Sequence, residues 1–489
     1  MAKLVPESDQ IEYKKAEFKV PEDFWESYSA FANTSGGMIM LGVSEVKKSG
    51  QKIEYIPTGY KDFDSYEREI RNKAHDKNFT NKDLIEKVLE VQPNGFEKSV
   101  IIVVIKKAVR QDRPVVIKDK KTKSMKAFVR LGSSDIEMTA EEYNSAIRDS
   151  QLTADRKPFY DFSISDIDEK TLDLYKSTIT NQRFKEHEDN SAMEFLKLLS
   201  LINIENKKQS LTATALLFFG KSYAINQTFP ALRMDLFDFR NSGDSRWTHR
   251  ISLTDFENVF QFFIAIYNYL QTTVKNPFIL NDDLVRIDTE SSIKLALREA
   301  VINFIMHADY FSSSPFKINI YDDLYELENP GKMLIPEDKF FTTMESEYRN
   351  PTISKLLMIA GYGERAGSGG EQIFKVTKSN IASPVISSQS HTTILKIWNV
   401  TFENKVNEDE SFTPQEKEVL KILYAGNQLS LKDISQKLDL TRYKTDLILK
   451  NLIQRNAVIK TGASRATKYE FNKSTTQKIS ELRRDVMSL

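Results

Sequence analysis

One segment near the middle of the chain most constrains what the chain can fold into. Residues 297–310 read LREAVINFIMHADY, in which the polar residues Glu299, Asn303 and His307 recur every four positions. A helix places residues four apart on one face, and apolar residues cover most of the remaining surface. The segment therefore predicts a largely buried helix with a polar stripe, and such a stripe needs polar partners.

These partners are either a ligand or other polar groups of the protein at a domain contact. A carboxylate at position 299 can orient water, and the amide of Asn303 one turn later can bind Mg²⁺ beside triphosphate oxygens. The following sequence favours the ligand. A strand at 316–321 leads to a predicted turn at 328–332 (ENPGK), and the glycine-rich residues 363–370 run into another helix. Glycines that open a helix offer bare N–H groups and a positive dipole end to phosphates.

Composition limits the class of protein. With 489 residues, 40% of them hydrophobic and including 30 Phe and 19 Tyr, the chain is long enough for three or four folded domains. The absence of cysteine excludes disulfides and thiolate metal sites, and the five histidines are too scattered for a zinc motif. No run approaches the roughly 18 apolar residues of a membrane span, and the N-terminus has no apolar signal core. We expect a cytoplasmic protein without a membrane partner.

Charge is balanced overall, with 69 basic and 69 acidic residues, but it is unevenly distributed. Residues 101–130 contain ten Lys or Arg against two acidic residues, and residues 411–489 contain fifteen against eight. A run of charge can simply be a solvated face. Both runs, however, lie in segments that carry other signs of nucleic-acid binding, which favours nucleic acid as a partner.

Residues 1–150 predict an α+β unit in which a helix from Pro21 ends at a glycine turn and runs into a strand at 38–43. Its basic segment places four lysines at the tip of a predicted hairpin. They are Lys118, Lys120, Lys121 and Lys123. Lysines on such a loop neutralise phosphates without reading bases.

Residues 151–280 predict a connector that is helical at 167–201, then forms strands at 212–219 and 231–237 and an aromatic helix at 255–273. The triplet Gly220-Lys221-Ser222 suggests a phosphate-binding P-loop. That motif needs a glycine five positions before Gly220, where this chain has Ala215. A P-loop helicase is therefore not expected.

The C-terminal part predicts a DNA-binding module after a polar, acidic linker at 401–410. Between 411 and 475, three helices with N-caps at Thr413, Ser430 and Thr441 precede two short strands, the order of a winged helix-turn-helix. The predicted groove and wing contacts are Arg442, Tyr443 and Lys444 in the first turn of the third helix, with Arg465 and Lys468 on the wing. Winged helices also serve as dimerisation modules, but the positive surplus favours DNA. Residues 476–489 form a basic tail.

The central motifs resemble a known family. Residues 277–397, with RExxxNxxxHxDY, ENPG, RNP and GSG in that order, resemble the divergent GHKL-type ATPase domain, often labelled RecG-like, that accompanies Schlafen/Alba-type domains in bacterial regulators. The resemblance implies an ATP site with Mg²⁺ over residues 281–400. Glu299 would activate water, Asn303 would hold Mg²⁺, and the remaining nucleotide contacts would be His307, Asn329, Gly331, Gly367, Ser368 and Gly369. Asn329 replaces the aspartate that better-known members use for the adenine amino group, and Ala308 replaces the usual arginine, so nucleotide binding is favoured over efficient hydrolysis.

The N-terminal segments IEYKK, AFANTSGGMIMLGVSE and AFVRLGSSDIEMTAEE resemble the Schlafen/Alba-type nucleic-acid-binding domain. Some members of that family cut RNA with clustered acidic residues, and the corresponding residues here would be Glu7, Glu12, Lys14 and Glu45. Carboxylates that meet at strand ends can hold divalent ions and deliver water to a phosphodiester. The alternative, which we favour, is that Glu12 and Lys14 form a structural ion pair and the domain binds without cutting.

The sequence thus predicts an α+β multidomain protein. Its parts are an N-terminal Schlafen/Alba-type α+β domain, a central GHKL-like α/β sandwich and a C-terminal winged helix-turn-helix. The leading hypothesis is an ATP-binding, DNA-binding regulator or defence-type protein, homo-oligomeric, with DNA favoured over RNA. The alternatives are a Schlafen-like metal-dependent nuclease with an ATPase sensor and an ATP-dependent scaffold that binds no nucleic acid.

Overall fold

The structure of the chain is a computed structural model that separates into two compact units, residues 1–154 and 155–489. It describes residues 4–47, 53–151, 154–205, 207–241, 245–274, 292–343, 347–363, 369–377, 383–388, 391–399, 406, 411–424, 428–462 and 467–472. The predicted site residues Gly367, Ser368 and Arg465, the tail at 476–489 and the linker at 401–410, apart from residue 406, lie outside the described residues.

The first unit is the α+β unit that the sequence predicts. Its helices are α1 (Phe24–Asn33), α2 (Phe63–His75) and α3 (Ala140–Ser150). Its strands are β1 (Ile11–Lys14), β2 (Gly37–Leu41), β3 (Val43–Lys47), β4 (Ile53–Pro57), β5 (Ile85–Val91), β6 (Val100–Ile105), β7 (Val116–Lys118), β8 (Met125–Leu131) and β9 (Ser134–Glu137). Among the described residues, β1-β2-β6-β5 form one sheet, β7-β8-β9 a second and β3-β4 a hairpin.

The end of α1 joins the two larger sheets. Buried Asn33 donates from Nδ2 to the carbonyl oxygens of Val115 and Phe128 and accepts the N–H of Val115 at 2.7 Å. A glycine turn then reverses the chain into β2, because Gly36 has a φ of +75° and a Cβ on Gly37 would lie 2.6 Å from the Phe31 ring. The Ala-Asn-Thr-Ser-Gly-Gly run thus has a structural role, because it connects α1 to β2 and bonds to the chain of the second sheet.

The second unit is built around a mixed sheet. Its helices are α4 (Glu169–Thr178), α5 (Gln182–Lys185), α6 (Ala192–Leu198), α7 (Ala213–Phe219), α8 (Ser222–Thr228), α9 (Val259–Thr273), α10 (Ser292–His307), α11 (Glu337–Phe340), α12 (Pro351–Ile359), α13 (Gly369–Thr377), α14 (Pro414–Tyr424), α15 (Leu431–Lys437) and α16 (Arg442–Gln454). Its strands are β10 (Pro158–Phe159), β11 (Ile202–Glu205), β12 (Lys208–Thr212), β13 (Met234–Asp238), β14 (His249–Ser252), β15 (Phe316–Ile320), β16 (Leu324–Pro330), β17 (Val385–Ser388), β18 (Thr392–Trp398), β19 (Val458–Thr461) and β20 (Lys468–Phe471).

Six strands of the described chain form one sheet in the order β14-β13-β15-β16-β18-β17. Buried and half-buried side chains alternate along β15 and β18, so one face of the sheet is covered. Apolar side chains of α9, α10, α12 and α13 belong to the same buried core as those of the sheet. This two-layer α/β arrangement agrees with the predicted sandwich. Strands from both sides of residue 280 share it, although the domain boundaries themselves stay predictions.

Two local expectations were wrong. Residues 212–219, predicted as a strand, form β12 only up to Thr212 and then the fully buried helix α7, whose first turn Thr212 caps by accepting the N–H of Ala215. An unbroken apolar run has no period that separates a buried helix from a buried strand. The turn predicted at 328–332 also starts late, because Asn329 and Pro330 end β16 and only Gly331, with a φ of +102°, leaves the strand.

The described residues between 411 and 472 form three helices, α14, α15 and α16, followed by the antiparallel pair β19-β20. Thr413, Ser430 and Thr441 cap these helices as predicted. The module has its own apolar core. Within the described residues, no helix combines the length and apolar character that crossing a bilayer requires.

Candidate nucleotide-binding site

Helix α10 carries the polar stripe at the sheet. Glu299 is buried, with 7% exposure, and Asn303 is half-buried. The Nδ2 group of Asn303 donates to the carbonyl oxygen of Glu299 at 2.8 Å. Because Nδ2 is engaged on the helix, Oδ1 is the atom of this amide that can offer lone pairs to a ligand. Hard cations such as Mg²⁺ prefer oxygen ligands of this kind.

Helix α13 begins directly against this stripe. A Cβ on Gly369, its first residue, would lie 2.5 Å from Nδ2 of Asn303 and 3.2 Å from Oε2 of Glu299. A Cβ on Gly370 would lie 1.9 Å from the carbonyl oxygen of Phe340. Only glycine fits at position 370, and a side chain at position 369 would have to displace the ends of Asn303 and Glu299. The first turn of a nine-residue helix, whose N–H groups have no partner within the helix itself, therefore meets a carboxylate and an amide.

Glu299 and Asn303 line a cleft, and the buried amide of Asn329 lines the same cleft. The lining residues include Glu299, Asn303, His307, Asn329, Lys332, Met333, Tyr348, Arg349, Gly369 and Thr393. Asn329 is 4% exposed, and its Oδ1 has no hydrogen-bond partner among the described residues. A buried unpaired acceptor of this kind costs stability unless a bound group supplies the missing donor.

The end of α10 is held by Arg349 and Asn350 of the RNP motif. The Arg349 guanidinium donates to the carbonyl oxygens of His307 and Lys332. Asn350 donates from Nδ2 to those of Met306 and Ala308, at 3.0 and 2.8 Å. These two side chains satisfy carbonyls that the end of a helix leaves unpaired.

Gly331 lies against the same guanidinium, because a Cβ there would be 2.7 Å from Nη1 of Arg349. The Arg349 side chain thus ties α10 to the chain that leaves β16. The sequence contains the motif that signals this clamp, but its role could not be assigned without the partners.

The structure places the other predicted nucleotide contacts as follows. His307 is the last residue of α10 and lines the cleft, where its ring stacks on Tyr348 with centroids 5.6 Å apart. Thr393, which sequence reasoning missed, pairs in register with Asn329, and its hydroxyl donates to the carbonyl oxygen of Gly331 at 2.9 Å. The side chains of residues 299, 303, 307, 329 and 393 therefore share one cleft with the start of α13.

In the first unit, the acidic residues are largely engaged by cations. Glu12 is 7% exposed, and its two carboxylate oxygens lie 2.9 Å from Nζ of Lys14 and 2.7 Å from Arg130. Lys14 also pairs with Asp23 at 2.8 Å. Among the residues that the structure describes, no cluster of three acidic or histidine side chains is arranged to hold a metal ion.

Glu7 and Glu45 lie in the same electrostatic neighbourhood. Burial raises the pKa of Glu7, and the nearby negative charges of Glu12 and Glu45 raise this pKa further. The Glu7 carboxylate accepts the N–H of Tyr13 at 3.0 Å. The charges of Glu12 and Glu45 thus act on Glu7, while Arg130 and Lys14 pair with Glu12.

The four predicted lysines surround the tip of the hairpin between β7 and β8. Asp119 shapes the tip by accepting the N–H groups of Lys121 and Thr122, and the Thr122 N–H bond is the main reason that the pKa of Asp119 falls to about 2. Lys121 and Lys123 are exposed, whereas Lys120 pairs with Glu22 at 2.8 Å. The tip presents cations on a fixed turn.

Arg442, Tyr443 and Lys444 are all exposed in the first turn of α16, and Tyr443 is 81% exposed. Lys468 is exposed at the start of β20. Tyr443 is highly exposed and has a cation on either side of it in the sequence. Such exposure is unusual for an aromatic residue that has only a structural role.

Comparison with family models gives three matches. Residues 7–139 match "Schlafen, AlbA_2", residues 313–397 match "Putative ATP-dependent DNA helicase recG C-terminal", and residues 144–235 match a domain of unknown function, DUF8451. No curated protein matches the chain.

Two solved structures are similar over parts or most of the chain. The DIP2311 protein from Corynebacterium diphtheriae is 12% identical over 95% of both chains, with a TM-score of 0.38. The N-terminal domain of a "Putative ATP-dependent DNA Helicase RecG-related Protein" from Nitrosomonas europaea is 28% identical over 28% of this chain and 88% of that chain, with a TM-score of 0.22.

The Schlafen, AlbA_2 match covers all but the end of the N-terminal segments that suggested it. The recG C-terminal match covers the ENPG, RNP and GSG motifs but begins after residues 297–310. Together the two matches suggest a nucleic-acid-associated ATPase. The chain carries an N-terminal domain of the Schlafen, AlbA_2 family and a domain of the recG C-terminal, ATPase-type family.

Proposed function

We propose that this chain is a nucleotide-responsive nucleic-acid-binding protein. The cleft beside α10 binds ATP with Mg²⁺, and the bound nucleotide fixes the arrangement in which the AlbA_2 domain and the C-terminal module bind DNA. The single observation that carries this proposal is the close approach of Gly369 to Glu299 and Asn303, because it brings a helix N-terminus, a carboxylate and an amide to one point.

Each of these groups has a role that suits a triphosphate. The N–H groups of the first turn of α13 bind phosphate oxygens, and the Oδ1 atom of Asn303 is the protein ligand for Mg²⁺. Glu299 orients a water molecule towards the terminal phosphate. His307 lines the cleft beside them, and Asn329 contacts the base. Bound Mg²⁺ supplies the charge that neutralises the phosphate oxygens.

The Oε1 atom of Glu299 lies 3.3 Å from the guanidinium of Arg298, and this ion pair competes with a water molecule for the carboxylate. We therefore propose that nucleotide binding, rather than rapid turnover, is the main event in this cleft.

The nucleic-acid contacts are assigned to two surfaces. The hairpin tip with Lys118, Lys120, Lys121 and Lys123 contacts backbone phosphates. The C-terminal module acts as a winged helix-turn-helix in which the first turn of α16 enters the major groove. Exposure of Arg442, Tyr443 and Lys444 supports this assignment. A homo-oligomer and a cytoplasmic location stay predictions from the sequence.

A metal-dependent nuclease is the second candidate, and the proximity of Glu7, Glu12 and Glu45 is the observation in its favour. The two cations that bracket Glu12 weigh against it, because they take the place that a divalent ion would occupy. We therefore propose binding without cutting. Incubation with tRNA or single-stranded DNA and Mn²⁺ should leave the substrate intact. Cleavage that disappears in the Glu7→Ala, Glu12→Ala double variant would establish the nuclease instead.

The main proposal is tested by DNA affinity with and without nucleotide. Fluorescence anisotropy of a labelled duplex should give a dissociation constant that changes at least about fivefold when saturating Mg²⁺-ATP is added, the lower end of usual coupling between sites. The Asn303→Ala variant should bind DNA with an affinity that ATP no longer changes. The exposed helical residue Asn226 gives the matched control Asn226→Ala, which should respond like the wild-type chain. If ATP leaves the wild-type affinity unchanged, the coupling is rejected.

A further inference from the structure

We propose that the cleft accepts purine nucleoside triphosphates with either a 6-amino or a 6-keto group, because Asn329 contacts the base through an amide that can turn over. This inference rests on the proposed nucleotide site and adds the class of base that the site takes.

Among the described residues, no hydrogen bond holds the amide of Asn329 in one orientation. It lies near the end of β16, is 4% exposed and lines the cleft. Within the part of the chain that the structure describes, its side chain makes no hydrogen bond, and its Oδ1 is buried without a donor. Thr393, which pairs in register with Asn329, donates its hydroxyl hydrogen to the carbonyl oxygen of Gly331. In the described part of the chain, no hydrogen bond therefore decides which end of the amide faces the cleft.

The remaining wall suits a flat apolar ring. The cleft that Asn329 lines also has apolar side chains from several elements in its wall, namely Ile302, Met306, Met333, Leu334, Ile335 and Ile386. A heterocyclic base buries its faces against such side chains and needs polar partners only at its edge. The unpaired amide provides that edge contact, while phosphates lie at the start of α13.

The chemistry of an amide matches both kinds of purine edge. An asparagine side chain offers an acceptor, Oδ1, and a donor, Nδ2, side by side. Adenine presents a donor at N6 and an acceptor at N1, and hypoxanthine presents an acceptor at O6 and a donor at N1. A half-turn of the amide exchanges Oδ1 and Nδ2, so either edge finds a complementary pair. A carboxylate at this position could only accept, so it would complement just one of the two edge atoms of either purine.

The inference is tested by comparing ATP with inosine triphosphate, which differs from ATP only at the 6-amino edge. Competition of each, with Mg²⁺, against a fluorescent ATP analogue on the full chain gives the two dissociation constants. We expect them to agree within about fivefold, whereas a site whose polar group is held in one orientation discriminates by about 10²-fold or more. ATP binding with inosine triphosphate at least about fiftyfold weaker overturns this inference and leaves the nucleotide site standing. Binding of neither nucleotide overturns the proposed function itself.

The Asn329→Asp variant sharpens the test because it removes the donor without changing the shape of the side chain. Both purines should bind at least about tenfold more weakly, because a carboxylate complements one of the two edge atoms of each base and repels the other. Asn226→Asp, which adds the same charge on the exposed face of α8, should leave both dissociation constants unchanged. Wild-type affinity for both purines in Asn329→Asp would overturn the role of Asn329. If that variant does not fold, the wild-type ratio still decides.

Discussion

Gly369 and Asn303 approach so closely that a Cβ on the glycine would lie 2.5 Å from Nδ2 of the asparagine. The two residues are 66 positions apart in the sequence and come from different helices, α10 and α13. Because Gly369 has no side chain, α13 starts against Asn303 without displacing its amide. The geometry of the proposed phosphate contact therefore depends on the absence of a side chain at residue 369.

The Gly369→Ala variant should weaken ATP binding at least about tenfold. The added methyl displaces either the start of α13 or the Asn303 amide, and overpacking of this kind costs about 1–3 kcal/mol. Lys375→Ala, an exposed change on the same helix, is the control and should bind ATP normally. Equilibrium ATP binding measures both. Wild-type affinity in Gly369→Ala would show that phosphates do not bind at this helix terminus.

Removing the Arg349 clamp should loosen the end of α10. Arg349→Ala leaves the carbonyl oxygens of His307 and Lys332 without this donor, and each unpaired buried group costs about 1–3 kcal/mol. Hydrogen exchange of peptides covering 299–310 should therefore be at least about tenfold faster than in the wild type. Arg349→Lys should not restore protection, because an ammonium lacks the rigid fork that reaches both carbonyls.

The control for the clamp is Arg233→Ala. Arg233 is exposed and donates to one carbonyl, that of Ser313, at 3.2 Å. Its loss should leave exchange in 299–310 unchanged. Equal protection of this segment in Arg349→Ala and the wild-type chain would mean that the clamp does not hold the helix.

Lysines at the hairpin tip should set the salt dependence of nucleic-acid binding. The Lys121→Ala, Lys123→Ala double variant removes two exposed cations and should reduce the slope of log K against log salt by about 1.8 for duplex DNA, since each phosphate contact contributes about 0.9. Lys61→Ala with Lys77→Ala removes the same charge from exposed positions outside the basic segment and should leave the slope unchanged. If the Lys121→Ala, Lys123→Ala variant keeps the wild-type slope, as the control variant should, the tip is ruled out as a phosphate contact.

Stability of the first unit should respond to Glu7 in a pH-dependent way. Because burial and neighbouring carboxylates raise the pKa of Glu7 above 4.5, the folded unit holds its proton more tightly than the unfolded chain does. Stability contributed by the protonated group is therefore lost as pH rises through the folded pKa. Glu7→Gln keeps an acceptor for the Tyr13 N–H and should be more stable than the wild type at pH 7, with the advantage vanishing below about pH 4.5.

Urea titrations at each pH, with survival of the first unit in a brief protease pulse as the readout, measure this difference. Glu12→Gln is the contrasting variant. It breaks the pairs with Lys14 and Arg130 and should destabilise the unit at pH 7. A Glu7→Gln variant that is less stable than wild type at neutral pH would contradict the sign of the pKa shift.

The sequence could predict features that depend on local spacing. The stripe of Glu299, Asn303 and His307 follows from helical period alone, and the caps at Ser430 and Thr441 follow from residue type and position. The family matches agree with the motifs that suggested them.

Features that depend on distant partners could not be predicted in this way. Arg130, which engages Glu12, is 118 positions from it, and Arg349 is 42 positions from the carbonyl that it binds at His307. Helix α7 was missed for a different reason, because the run Ala213–Phe219 is buried on every side and so carries no period. The unpaired Oδ1 of Asn329 also has no sequence signal, because only the folded structure shows that no donor among the described residues reaches it.

Calorimetric titration of ATP into the full chain, with Mg²⁺ and with EDTA, tests the central claim most directly. The account predicts one binding event per chain in Mg²⁺ that weakens at least about tenfold in EDTA, and an Asn303→Ala variant whose affinity is equally weak in both conditions because the amide oxygen that holds the ion is gone. Absence of ATP binding to the wild-type chain, or binding to Asn303→Ala that keeps the full effect of Mg²⁺, would contradict it.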